Sequence, residues 1–178
     1  MFNLIFLKKF CIIYIEKEKE ENFMVYTEII MDLFQMSNDY YLAHCISADF
    51  GMGRGIVVEF NKRFNMKQKL QKNFPDYVNE WHKCKYQGTC ILMDSVLNLI
   101  TKERYYDKPT YKSIESALYN MKDICEANDI KKVAMPTIGC GLDRLEWPQV
   151  RQIIQEIFED VNIEIVVCRK EQNNEKNL

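Results

Sequence analysis

Residues 135–147 read Met-Pro-Thr-Ile-Gly-Cys-Gly-Leu-Asp-Arg-Leu-Glu-Trp and join a predicted strand, 131–135, to a predicted helix, 147–158. Gly139 and Gly141 leave room for backbone N–H groups to turn toward an anion, and the following helix N-terminus adds positive potential. The loop therefore predicts a phosphate-binding site. Asp143 is unexpected there, because a carboxylate repels phosphate, so it either caps the helix or takes part in chemistry.

Strand-like and helical segments alternate along the chain around this loop. Strands are predicted at 23–30, 40–46, 89–93, 96–101, 131–135 and 161–168, and helices at 56–64, 66–73, 147–158 and onward from an N-cap at Thr110. Residues 75–86 are predicted to be irregular. The pattern predicts an α/β fold of three layers, α/β/α, with a mostly parallel mixed central sheet.

Ligands of such sheets bind outside the carboxyl ends of the strands. Asp32, the loop 47–55, Lys102 and the loop 137–143 all follow predicted strands. We therefore expect these segments to converge on one crevice.

Composition excludes several classes of function. The 178 residues suit one domain, and the net charge of -2 gives no overall basic field for coating nucleic acid. The seven cysteines are scattered and form no Cys-x-x-Cys pair, which argues against a disulfide framework and against zinc. With only His44 and His82 in the chain, a His-rich metal site is excluded, and we expect no metal and a reduced, intracellular protein.

The two ends of the chain are predicted to lie outside the domain, which we place at 23–169. Residues 1–15 are apolar but too short to span a bilayer, and a charge run follows them. The alternatives for 1–22 are an added strand, a flexible arm or an artefact of gene prediction, with a signal anchor less favoured. The polar tail 170–178 is predicted to be disordered, and no membrane partner is expected.

Several short motifs occur in an order that resembles the macrodomain family. They are Asp32-Leu33-Phe34, Ala43-His44-Cys45-Ile46-Ser47, Met52-Gly53-Arg54-Gly55-Ile56, Leu99-Ile100-Thr101-Lys102, Lys108-Pro109-Thr110-Tyr111 and the string from Met135 to Trp147. The combination of Lys102 with Asp143 resembles the terminal ADP-ribose protein glycohydrolase branch in particular. The resemblance spans about 25–167.

The resemblance implies an ADP-ribose site. Asp32 would accept a hydrogen bond from the adenine amino group beside the Leu33 backbone. The distal ribose and the diphosphate would be wrapped by Ser47, Gly53, Gly55 and Ile56 from one side. The other side would be formed by Pro136, Ile138, Gly139, Cys140, Gly141 and Leu142, with the backbone N–H groups of the last four binding the phosphates.

The resemblance also implies an enzyme without a cofactor. Lys102 would be the nucleophile and Asp143 its acid/base partner, because a neutral lysine amine can condense with the anomeric carbon of ADP-ribose as a Schiff base. The reaction would remove mono-ADP-ribose from acidic side chains of modified proteins, with deacetylation of O-acetyl-ADP-ribose as a side activity. Poly-ADP-ribose and ADP-ribosylated nucleic acid are further candidate partners. The resemblance implies a nuclear or cytoplasmic monomer that reverses ADP-ribosylation, including in the DNA damage response.

Other interpretations stay open at this point. Met31 replaces the glycine usual before the family's aspartate, and Arg54 stands where small residues are commoner, so a module that only binds ADP-ribose is one alternative. An enzyme acting mainly on O-acetyl-ADP-ribose or on nucleic acid is another. Taken alone, Asp32 could simply close a turn, His44 is expected to be a hydrogen-bonded core histidine, and Cys140 a small loop residue rather than a nucleophile.

Overall fold

A computed structural model describes residues 23–83 and 88–170; the predicted extension 1–22 and residues 171–178 of the predicted tail lie outside this part. The strands are β1 Val25–Ile30, β2 Tyr41–Ser47, β3 Thr89–Met93, β4 Val96–Lys102, β5 Lys132–Met135 and β6 Glu164–Arg169. The helices are α1 Val57–Phe64, α2 Met66–Asn73, α3 Tyr77–His82, α4 Tyr111–Ala127 and α5 Trp147–Phe158, with a short 3₁₀ turn at Leu33–Gln35.

The described strands form one six-stranded sheet in the order β1-β6-β5-β2-β4-β3. All neighbours are parallel except β3, which runs antiparallel to β4 as the first strand of a hairpin. The predicted mostly parallel, mixed sheet is confirmed. Because β1, β2, β4, β5 and β6 run the same way, their carboxyl ends lie at one edge.

Two apolar clusters cover the two faces of the sheet and make the three predicted layers. On one face, Leu97 and Leu99 of β4 share a buried cluster with Ile114 of α4 and Ile154 of α5. On the other face, the buried cluster is formed by Ile100 of β4 with side chains of the first three helices: Phe60, Met66, Leu70 and Trp81. Alternate β4 side chains thus enter opposite cores, as the period of a strand requires.

Helix α3 corrects one expectation, since 75–86 was predicted to be irregular and Tyr77–His82 is helical. This single turn and a half is too short to show a helical apolar period. It is held by Trp81, which is 3% exposed and belongs to the buried cluster of α1 and α2. Tertiary packing, which a local pattern does not contain, therefore stabilises this helix.

The prediction of Thr110 as the N-cap of α4 is confirmed. Its hydroxyl accepts a hydrogen bond from the Ser113 N–H at 3.1 Å, and the Ser113 hydroxyl accepts one from the Thr110 N–H at 3.0 Å. This reciprocal capping satisfies two N–H groups that a helix start would otherwise leave unpaired. Among the described residues, no helix is long and apolar enough to cross a bilayer.

Candidate functional site

The segments predicted to converge do lie at one edge of the sheet. Asp32 follows β1, Ser47 ends β2, Lys102 ends β4, and the loop 136–146 follows β5. Four strand spacings separate β1 from β4, or about 19 Å along the edge at the usual spacing of parallel strands. A ligand that reaches both Asp32 and Lys102 must therefore be extended, as a dinucleotide-like molecule is.

Lys102 and Asp143 form an ion pair at this edge. The Lys102 Nζ lies 2.5 Å from the Asp143 Oδ1, and the side chains are only 12% and 15% exposed. The alternative role of Asp143 as a helix cap is not what the structure shows, because the N-cap of α5 is Glu146. A mostly enclosed amine in contact with a carboxylate suits nucleophilic and proton-transfer chemistry.

The pairing of β2 with β4 shifts its register, as at a β-bulge, immediately before Lys102. Ile46 of β2 pairs with Ile100, but the next residue, Ser47, pairs with Lys102, so Thr101 is inserted into the ladder. Without the insertion, Lys102 would share the face of Ile100, which points toward α1 and α2. With it, Lys102 shares the face of Ser47, which is the face of α4 and α5. Bulges re-aim side chains in this way, and they are rare between parallel strands.

The two glycines of the loop after β5 lie in different surroundings. Gly139 has φ of 71°, and a Cβ atom on it would lie 3.1 Å from Leu145 Cδ1 and 3.3 Å from Ile114 Cδ1. Glycine is therefore required there for two reasons, the backbone angle and the packing. At Gly141 a Cβ atom would meet nothing within 4 Å, so this residue faces open space.

The backbone N–H groups of this loop differ in their availability. The Cys140 N–H donates to the Thr137 carbonyl at 3.3 Å and closes a turn. Within the described residues, the N–H groups of Gly139, Gly141 and Leu142 have no backbone or side-chain acceptor. The expected phosphate contact of Cys140 thus competes with an internal hydrogen bond, whereas the other three donors are uncommitted.

The second glycine loop, between β2 and α1, adjoins the first. Gly55 has φ of 71°, and a Cβ atom on it would lie 3.5 Å from Leu142 Cδ1. Leu142 is 62% exposed, and its carbonyl accepts a hydrogen bond from the Lys108 Nζ at 2.5 Å. A Cβ atom on Gly53 would meet nothing within 4 Å, and Ile56 precedes the first turn of α1. The two loops therefore lie against each other at Gly55 and Leu142.

At the other end of the edge, Asp32 closes a turn. Its Oδ1 accepts a hydrogen bond from the Phe34 N–H at 3.1 Å and caps the 3₁₀ turn, while Leu33 is buried. The Met31 N–H donates to the Arg169 carbonyl at 3.1 Å, so the chain continues the β1–β6 ladder up to Asp32. The turn leaves Asp32 exposed, and its role toward adenine stays a prediction.

Ser47, Pro136 and Ile138 line the base of the site rather than its surface. Ser47 is 1% exposed and Ile138 2% exposed, while Pro136 is half-buried. The Ser47 hydroxyl donates to the Asp49 Oδ1 at 2.5 Å. Sequence reasoning missed Asp49, although an aspartate two residues after a serine at a strand end is typical of a side chain that bonds its own turn.

Cysteine chemistry is disfavoured at the site. Burial raises the pKa of Cys140 to about 11 and that of Cys45, which interacts electrostatically with Asp143 and Lys102, to about 12. Both thiols stay protonated at neutral pH, and the Cys140 Sγ donates to the Ile138 carbonyl at 3.2 Å. The prediction that Cys140 is not a nucleophile agrees with this. In the part of the chain that the structure describes, no three His, Cys, Asp or Glu side chains are grouped to hold a metal.

This chain is similar to known proteins in both sequence and fold. A family model described as "Macro domain" matches residues 44–154. The human ADP-ribose glycohydrolase OARD1 is 43% identical over 136 residues, which cover 76% of this chain and 86% of the human protein. A DNA ADP-ribosyl glycohydrolase of Thermus aquaticus is 25% identical over 119 residues, or 61% of this chain and 31% of that protein.

Among solved structures, Thermosipho africanus DarTG in complex with ADP-ribose superposes with a TM-score of 0.64 at 19% identity, covering 86% of this chain and 43% of that one. At this identity the superposition supports the fold alone. The predicted fold is confirmed, and the human relative, whose name states a hydrolase, confirms the prediction of an enzyme. On the family match and the similarity to the human protein, the chain belongs to the macrodomain family.

Proposed function

We propose that this protein is a hydrolase that removes mono-ADP-ribose from acidic side chains of modified proteins through a lysine-ADP-ribose intermediate. The observation that carries the proposal is the Lys102–Asp143 ion pair, 2.5 Å long and mostly enclosed, beside a loop with uncommitted backbone donors. The human relative is named an ADP-ribose glycohydrolase, and it covers most of this chain. Asp32 is proposed to bind the adenine end of the extended ligand.

In this proposal, the loop after β5 binds the ligand, and Lys102 and Asp143 carry out the reaction. The N–H groups of Gly139, Gly141 and Leu142 bind the diphosphate and bring the distal ribose toward Lys102. The carboxylate of Asp143 accepts a proton from the lysine, which leaves a neutral amine for attack. The enclosure of both groups keeps bulk water from solvating them, which strengthens their interaction.

The reaction is proposed to proceed in two steps. The Lys102 nitrogen bonds to the anomeric carbon, and the carbon–oxygen bond to the target breaks, with its electron pair leaving on the carboxylate of the target. The proton that Asp143 took from the lysine leaves with the carboxylate of the target, so Asp143 can accept the proton that the bonded nitrogen now loses. Opening of the ribose, with transfer of the last N–H proton to the ring oxygen, gives the imine. Water then adds to the imine carbon, the carbon–nitrogen bond breaks, and Asp143 returns the proton to the lysine, so that ADP-ribose leaves.

Lys102→Ala tests the nucleophile. The variant is expected to keep ADP-ribose binding, measured by calorimetry, and to lose turnover by a factor of at least about 1,000, because no other described amine contacts Asp143. Borohydride reduction of the wild-type protein during turnover should leave a covalent adduct with the mass of ADP-ribose on Lys102. Mass spectrometry of digested protein locates it.

Lys69→Ala is the matched control, because Lys69 also forms an ion pair, with Asp94 at 2.6 Å, but on the exposed surface of α2. It should behave as the wild type in every assay. Unchanged turnover of Lys102→Ala would rule out the covalent mechanism. Binding without turnover or adduct in the wild-type protein would favour a module that only binds ADP-ribose.

A second candidate substrate is ADP-ribosylated nucleic acid. The Thermus aquaticus relative is named a DNA ADP-ribosyl glycohydrolase, which favours this candidate, although it is less similar than the human protein. The groove for ADP-ribose serves both substrates, and also O-acetyl-ADP-ribose as a side substrate. Competition between a modified peptide, a modified oligonucleotide and O-acetyl-ADP-ribose, compared by kcat/KM, ranks them.

A further inference from the structure

Asp49 accepts three hydrogen bonds from two separate segments. Its Oδ1 accepts from the Ser47 hydroxyl at 2.5 Å and from the Gly51 N–H at 3.1 Å. Its Oδ2 accepts from the Tyr105 N–H at 3.3 Å. The first two bonds lie within the loop after β2, and the third reaches the segment after β4. One carboxylate therefore joins the loop 47–51 to the chain three residues beyond Lys102.

Backbone bonds join the same two segments beyond the end of the regular ladder. The Ala48 N–H donates to the Lys102 carbonyl at 2.9 Å, and the Asp49 N–H donates to the Glu103 carbonyl at 3.1 Å. The segments also pack closely, since a Cβ atom on Gly51 would lie 2.6 Å from the Tyr105 Cβ. Lys102 thus lies between the Thr101 bulge on one side and the Asp49 contacts on the other.

Because the register shifts at Thr101, the segment that follows Lys102 needs contacts that hold it in the shifted register. The inserted Thr101 turns Lys102 to the face of Asp143, and a return to regular pairing would turn it to the opposite face. The backbone bonds of Ala48 and Asp49 fix the path of the chain immediately after the bulge. Where the chain leaves the sheet, the Asp49 carboxylate is the acceptor that the structure describes for the Tyr105 N–H.

We propose that Asp49 is a positioning residue that holds the segment 102–105 in the shifted register and so aims the Lys102 amine at Asp143 and the anomeric carbon. The proposal rests on the proposed function for its reaction, and on the described contacts for its geometry. Asp49 does not itself touch the reacting atoms. Its effect on the rate comes through the placement of Lys102, and a displacement of about 1 Å can cost about 100-fold in rate.

Asp49→Asn is the sharpest test, because it keeps the shape of the side chain and replaces one acceptor oxygen with an NH₂ group. A carboxylate accepts on both oxygens, whereas an amide has one oxygen and one NH₂ group. In either orientation, the amide NH₂ group faces a backbone N–H, that of Tyr105 or that of Gly51, which can only donate. The variant should lower kcat by about 10- to 100-fold and change KM by less than about threefold.

Asp107→Asn is the matched control in the neighbouring turn. Asp107 accepts one hydrogen bond, from the Arg104 N–H at 2.9 Å, which an amide oxygen can also accept. This variant should keep both kcat and KM. Equal melting temperatures for the two variants and the wild type would show that a fall in kcat does not come from unfolding.

Amide hydrogen exchange gives a readout that does not depend on turnover. In Asp49→Asn, exchange at the Tyr105 amide should become at least about tenfold faster, and a crystal structure of the variant should show a longer distance between Lys102 Nζ and Asp143. If the wild-type protein has no glycohydrolase activity, the proposed function fails, while these two measurements still decide whether Asp49 holds Lys102.

Three outcomes would overturn the proposal. The first is wild-type kcat in Asp49→Asn. The second is a rise in KM with kcat unchanged, which would make Asp49 a ligand-binding residue instead. The third is an unchanged Lys102–Asp143 distance together with unchanged exchange at Tyr105.

Discussion

Among single residues, His44 shows how burial fixes a protonation state. The ring is fully buried in β2 and stacks on Phe60, with centroids 3.7 Å apart. The Asn98 Nδ2 donates to the carbonyls of Ile91 and Val96, which leaves the Asn98 Oδ1 to accept from the His44 Nε2–H at 2.8 Å. The predicted hydrogen-bonded core histidine is confirmed, and it is neutral because burial lowers its pKa to about 4.

Because of His44, the stability of the protein should fall as the pH drops below 6.5. The unfolded chain binds a proton near pH 6.5 and the folded chain near pH 4, so the free energy of unfolding falls as the pH drops through this window. The His44 contribution to the free energy of unfolding is fully present above pH 6.5. Its complete loss, reached below the folded pKa of about 4, would be about 3 kcal/mol. Urea unfolding at several pH values between 7 and 5 measures the slope.

The control for that slope is His44→Gln, whose amide can still donate to Asn98 but does not titrate. Its stability should be lower than that of the wild type at pH 7, because the stacking on Phe60 is lost, yet vary less between pH 7 and 5. A slope identical to that of the wild type would assign the pH dependence to other groups.

At the level of elements, the loop after β5 depends on the helix that packs behind it. The Gly139 position is closed by Ile114 of α4 on one side and by Leu145 of its own loop on the other. Lys108, just before α4, holds the Leu142 carbonyl. The capped start of α4 thus supports the loop that is proposed to bind phosphate.

Gly139→Ala should destabilise the protein by about 1–2 kcal/mol from the left-handed backbone alone, with a further cost from the contacts with Leu145 and Ile114. ADP-ribose affinity should fall as well, because the loop must shift. Urea unfolding and calorimetry measure the two effects.

Gly141→Ala should change the affinity for ADP-ribose without changing the stability of the protein, unlike Gly139→Ala. A methyl group there meets open space, so stability should stay within about 0.5 kcal/mol of the wild type, while the methyl group projects from the loop and should weaken ADP-ribose binding. Equal loss of stability in the two variants would contradict the packing argument for Gly139.

At the level of the whole molecule, Glu28 ties the edge strand β1 to the rest of the domain. Its Oε1 accepts from the Tyr26 hydroxyl at 2.9 Å and from the Trp147 Nε1 at 3.0 Å, and its Oε2 lies 3.2 Å from an Arg169 guanidinium nitrogen. Burial opposes the charged form, but the bonds from Tyr26 and Trp147 outweigh it and hold the pKa of Glu28 below its ordinary value. Strand β1 leads to Asp32, so this network also supports the residue that is proposed to bind adenine.

Glu28→Gln should therefore lower the free energy of unfolding by about 1–3 kcal/mol, because it removes the charge that pairs with Arg151 and Arg169 and that strengthens the bond from Trp147. Glu59→Gln is the control, since its pair with Arg63 is 3.4 Å long and almost half exposed, and it should cost less than about 0.5 kcal/mol. Similar losses for the two variants would show that the Glu28 network stabilises little.

The sequence by itself determined most of the elements and the edge at which the site lies. Buried strands and amphipathic helices have distinct periods, and Thr110 signals its helix start with a local bond, so these features need no tertiary information. The order of the motifs also placed Lys102 and Asp143 at strand ends. The short helix α3 was missed, because packing of Trp81 holds it rather than a local pattern.

The tertiary structure alone decided which way Lys102 points and what holds it there. The bulge at Thr101 depends on how two strands pair, and Asp49 acts on Tyr105, 56 residues further along the chain. A choice of pairing register is made between segments distant in sequence, so no local pattern of residues contains it. The same reason applies to Asp143, whose partner could be named from the resemblance but whose contact with Lys102 only the fold brings about.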